Sequence, residues 1–105
     1  MTTAAIEYEK LVAICTANES IATGQMFGKL CLKINSKAFT ALHKETLVFK
    51  LSGVDHENAL KLSGSTLWDP SGKGRPMKEW VAVPASEAKN FKKLLHAALS
   101  YVSET

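Results

Sequence analysis

The chain has 105 residues, 46% of them apolar, with a formal net charge of +3. That is the size of one domain and enough apolar material for a real core, which excludes intrinsic disorder. No apolar run approaches the ~20 residues of a membrane helix, and the amino terminus lacks the basic-then-apolar pattern of a secretory leader. A cytoplasmic protein making no membrane contact is expected.

Thr3–Asn18 is expected to form the first helix, with Thr3 as its N-cap and Ala4, Tyr8, Leu11 and Cys15 as its apolar stripe, Ile14 beside them. Ile21–Phe27 is expected as a strand, and Gly28 as a turn or bulge. The clearest pattern follows in Gln25–Leu51. Leu30, Leu32 and Ile34 alternate with Lys29, Cys31 and Lys33, and Leu47, Phe49 and Leu51 alternate with Val48 and Lys50. A period of two marks strands buried on one face. The connections Asn35-Ser36-Lys37 and His43-Lys44-Glu45 are too short for a parallel crossover, so Ala38–Leu42 and its neighbours form an antiparallel meander.

Gly53–Gly64 is expected as a short helix, with Asp55 as its cap and Gly64 at its C-terminal end. Thr66–Trp68 is a short strand. Asp69–Pro76, DPSGKGRP, is a loop by composition. Met77–Val83 is a strand on which Met77, Glu79, Val81 and Val83 oppose Lys78, Trp80 and Ala82. Ala85–Ser103 is a closing helix with its stripe at Phe91, Leu94, Leu95, Ala98, Leu99 and Val102. The order α-β-β-β-β-α-β-β-α defines an α+β domain: a single antiparallel sheet covered on one face by helices, the other face left to solvent or a partner. One domain, 1–105, accounts for the whole chain. The stripe of the closing helix is expected to dock on Leu30, Leu32, Leu47 and Phe49.

Met26-Phe27-Gly28, Ala38-Phe39, Leu47-Val48-Phe49-Lys50-Leu51, Gly64 and Val83-Pro84, followed by an amphipathic helix, resemble the amino-terminal domain of TfoX-type proteins. The chain is similar, more distantly, to YjbR domains, whose fold is compared with the frataxin-like CyaY fold. The resemblance spans about Ile21 to Val102. It implies an antiparallel α+β fold and a regulatory or nucleic-acid-contacting role, and it supplies no catalytic residues. Lys29-Leu30-Cys31 stands where that family has further glycine and aromatic residues.

The charge is unevenly spread. Residues 29–50 carry five lysines against Glu45, and basic residues recur in the late loop and strand. Lys29, Lys33, Lys50, Lys73, Arg75 and Lys78 are the candidate contacts to a nucleic acid or another anion. A protein partner is the other open reading, and the oligomeric state is left open. The alternative of a different class is a small-molecule or anion-binding domain using Ser71–Pro76. That loop lacks the phosphate-loop spacing and leads into a strand rather than a helix. No cofactor or metal is expected: His43, His56 and His96 lack ligand spacing, and Cys15 and Cys31 read as buried free thiols. An enzyme built on Cys31 is the weakest reading, because only Lys29 and Lys33 stand near to activate it. Trp68 and Trp80 are expected in packing rather than in a stacking platform.

Overall fold

The computed structural model describes residues 3–15, 17–26, 28–69, 74 and 77–103, with the backbone alone for Met26. Helix α1 (Thr3–Cys15) precedes strands β1 (Ile21–Met26), β2 (Lys29–Ile34), β3 (Lys37–His43) and β4 (Thr46–Lys50). Helix α2 (Gly53–Leu60) leads to β5 (Thr66–Trp68) and β6 (Met77–Pro84), and helix α3 (Phe91–Ser103) closes the fold. All six strands join one antiparallel sheet in the order β1-β2-β3-β4-β6-β5. The α+β class and the element order are therefore those expected.

The hairpin turns show why the meander forms. Asn35 and Ser36 join β2 to β3 with φ of 50° and 70°, and Lys44 opens the next turn at φ 54°. Left-handed backbone at short turns matches the twist of the flanking strands, and Asn tolerates it best among residues with side chains. Gly28, at φ +76°, makes the turn between β1 and β2.

The main core lies between the sheet and the helices. Leu32, Ile34, Phe39, Leu47, Phe49, Leu51, Val81 and Val83 meet Tyr8, Leu11 and Cys15 of α1 and Phe91, Leu94, Leu95, Ala98 and Val102 of α3. Leu99 is half-buried against this core, and Phe91 tilts on Phe49 with ring centroids 5.7 Å apart. Each strand stripe and helix stripe leaves water only by packing on the other.

Several local expectations are corrected. Leu30 shares its face with Leu32 but is 46% exposed, because Thr23 and Gln25 beside it are also exposed and the helices do not reach this end of the sheet. Ile14 is exposed rather than part of the α1 stripe. Helix α1 is described over Thr3–Cys15, and Thr3 is itself helical rather than a cap. Asn18 instead organises the exit turn, its Oδ1 accepting from the Ser20 amide at 2.9 Å. Ser52 occupies the N-cap of α2, Asp55 sits within its first turn, and the helix stops at Leu60 with Lys61 as C-cap. Gly64, at φ +81°, turns the chain into β5. The segment Ala85–Asn90 is 3-10 rather than α-helical and is kinked at Glu87, which leaves helical geometry at φ −101°, ψ 24°.

The largest correction concerns the other face of the sheet. It is not left to solvent. Cys31, Ala41, Val48, Trp68, Trp80 and Ala82 form a second buried apolar cluster there. Two irregularities shape it. A bulge in β3 opposite Leu32 and Lys33 turns both Phe39 and Thr40 toward the helices, so Ala38 and Ala41 both face outward. A register break opposite Leu67 and Trp68 brings Met77 into the tryptophan cluster rather than opposite Trp80.

Candidate functional site

The outer face is built on one transverse row. Gly24 pairs with Cys31, Cys31 with Ala41, Ala41 with Val48, Val48 with Ala82, and Ala82 with Thr66. Every member is small, so the row forms a floor with room above it for large rings. The two tryptophans use that room. Trp68 is 1% exposed and meets Trp80 edge-on at 5.5 Å between centroids. On another side Trp68 meets the His43 ring, also edge-on, at 5.8 Å. Edge-to-face pairs of this kind add to the burial energy of the rings.

The polar rim of the face is cationic on the β2–β3 half. Lys29 and Lys33 lie two residues either side of Cys31 and are half-buried. Lys33 lies across β1: a Cβ placed on Gly24 would meet its Cε at 3.3 Å and its Nζ at 3.6 Å. His43 lies two residues from Ala41, with Nδ1 buried and lacking a hydrogen-bond partner among the described residues. Burial first, then the charges of Lys29 and Lys44, hold His43 below its usual imidazole range. Burial is the larger cause, and the smaller contributions of Lys29 and Lys44 place those two ammoniums near the imidazole.

The six candidate contacts are only partly brought together. Lys29 and Lys33 share the outer face. Lys50 is engaged by Glu79 at 3.7 Å, and Glu79 accepts a 2.6 Å hydrogen bond from the Tyr101 hydroxyl. Lys78 is exposed on β6, its carbonyl accepting from His56 Nε2 at 2.7 Å. Lys73 and Arg75 lie outside the described residues. Sequence reasoning missed Lys44 and His43, which the β3–β4 turn adds to the Lys29 neighbourhood. Their signal was the two-residue turn itself, which places its flanking side chains over the adjoining strands.

Other chemistry finds little support here. Cys31 is fully buried, and burial pushes its thiol up while Lys33 pulls it the other way. A buried thiol in this state is a packing group, not a nucleophile. Cys15 belongs to the helix-side core and Cys31 to the outer cluster, so the sheet separates the two free thiols. Among the described residues no three His, Cys, Asp or Glu side chains gather closely enough to hold a metal ion. Of the Ser71–Pro76 loop, only Gly74 is described. Its amide donates to Asp69 Oδ2 at 2.8 Å, so a carboxylate already occupies a group that an anion would need. A cleft of about 50 Å³ between α2 and α3, with Asp55, Asn58, Asn90 and Lys93 over Ala59 and Leu94, has room for a few waters. No described helix is long and apolar enough to cross a membrane.

Comparison with family models, with curated proteins and with solved structures returns no match.

Proposed function

We propose that this chain is a non-enzymatic, cytoplasmic contact domain of the TfoX amino-terminal kind, acting by weak, salt-sensitive contact with nucleic-acid phosphates. The observation that supports this reading is the cationic half of the outer sheet face. Lys29 and Lys33 lie there with no ion pair among the described residues, and Lys44 adds to the same field. Lysines of this kind neutralise phosphates and release counterions without reading bases. The tryptophans do not serve as a stacking platform, because both are buried. The binding is therefore electrostatic and indifferent to sequence.

Fluorescence anisotropy with labelled single- and double-stranded DNA tests this reading. Binding is expected at low salt and largely lost at physiological salt. Lys29→Glu/Lys33→Glu should abolish it while leaving the circular dichroism spectrum unchanged. No binding by the parent protein at low salt removes the nucleic-acid reading.

A further inference from the structure

Strand β1 ends the sheet, paired with β2 on one side and, among the described residues, open on the other. Terminal strands usually carry guards against pairing with a foreign chain: short length, a charge, a proline or a bulge. The opposite terminal strand, β5, has two of these, being three residues long with a register break against β6. Strand β1 has none. Ile21-Ala22-Thr23-Gly24-Gln25-Met26 is uncharged and free of proline, and it pairs with β2 without interruption over all six residues.

The open edge has a definite polarity. The Asn35 amide donates to the Ser20 carbonyl at 3.2 Å. In an antiparallel ladder the bonded pairs alternate, so Ala22, Gly24 and Met26 bond to β2, while Thr23 and Gln25 direct their N–H and C=O groups to the open side. Among the described side chains of this edge, Ala22 and Gly24 lie on the outer face. Because Gly24 has no side chain, Lys33 lies over β1, its Nζ 3.6 Å from where a Cβ would stand. A strand added ~4.8 Å further out would run within reach of that ammonium.

We propose that the β1 edge is a docking site for an extended acidic segment of another protein. The segment adds as a further strand, exchanges hydrogen bonds with Thr23 and Gln25, and sets an Asp or Glu carboxylate beside Gly24 against Lys33. Charge complementarity selects this occupant. Two-fold pairing of β1 with a second copy would crowd two Lys33 ammoniums onto one short stretch. Nucleic acid has no peptide ladder to offer the edge. The proposal shares Lys33 with the nucleic-acid reading but not its hydrogen bonds, which come from the β1 backbone, so the Thr23→Pro variant separates the two.

The test is an NMR titration of isotope-labelled protein with the capped peptide Thr-Glu-Val-Glu-Val-Glu-Thr, beside a control with lysine in place of glutamate. The amide signals of Thr23 and Gln25 should shift, and their hydrogen exchange should slow. The lysine peptide should produce neither effect. Lys33→Glu should weaken binding about two- to fivefold, the yield of one exposed ion pair. Thr23→Pro should abolish it, because proline removes an N–H that points outward and leaves the ladder to β2 intact. Should that variant fail to fold, Lys33→Glu and the lysine peptide still decide. Shifts centred elsewhere, none at millimolar peptide, equal binding of the lysine peptide, or binding retained by folded Thr23→Pro would overturn the proposal. Protection of Thr23 and Gln25 that grows with protein concentration in the absence of peptide would give the edge to a second copy and overturn it too.

Discussion

Replacing Trp68 with alanine tests whether the outer face of the sheet is a core or a surface. The side chain is 1% exposed, with Trp80 and His43 against it and a floor of Ala41, Val48 and Ala82 in its cluster. A buried indole removes roughly 200 Å² from water, worth about 5 kcal/mol at ~25 cal/mol per Å². Alanine recovers a small part of this, and measured truncations of large aromatics cost about 3–5 kcal/mol. Against a typical stability of about 5–15 kcal/mol, that loss lowers the urea midpoint severely or unfolds the domain. Urea titrations followed by far-ultraviolet circular dichroism and by Trp80 fluorescence measure it directly. A loss below about 1 kcal/mol is what a solvent-facing residue gives, and it would refute the second core.

Three further outcomes follow from buried groups. Leu95→Ala, at a site 1% exposed between α3 and the sheet, should cost about 2–5 kcal/mol in the same titration. Thr40→Val should instead raise stability by about 1 kcal/mol, because the Thr40 hydroxyl is fully buried without a hydrogen-bond partner among the described residues and valine keeps its shape. The folded state holds His43 below its unfolded value near 6.5, so protons bind the unfolded chain more readily. The stability due to neutral His43 is present above pH 6.5 and is lost as pH falls through the folded value. A pH series of melting temperatures should show that loss, and His43→Phe should remove it.

The helix-facing half of the fold was legible because it obeys simple periods. Leu47, Phe49 and Leu51 alternate, and the α3 stripe recurs at helical spacing, so each identified the other's covering layer. The burial of Trp68, Trp80 and Cys31 was legible, but their union on one floor was not, for a physical reason. That floor consists of Gly24, Cys31, Ala41, Val48 and Ala82, which are small and, on β2, flanked by lysines. Only the register across strands shows that they form one row. The bulge that turns Phe39 and Thr40 to the same side breaks the alternation that sequence reading relies on. Leu30 illustrates the reverse failure: its parity is right, but burial depends on how far a helix reaches, which no local pattern encodes. Of the candidate contacts, the alternation placed Lys29 and Lys33 on the outer face. It did not anticipate that Glu79 would engage Lys50, because that pairing requires β4 and β6 to be neighbours.

The proposed phosphate contact is tested most directly by the salt dependence of DNA binding. Each phosphate neutralised on a duplex contributes about −0.9 to the slope of log K against log salt. Two to four contacts around Lys29, Lys33 and Lys44 give a slope of about −2 to −4, and removing Lys29 or Lys33 should each flatten it by about one. A slope near zero, or the same slope in the Lys29→Gln and Lys33→Gln proteins as in the parent, would contradict a cationic outer face that binds nucleic acid.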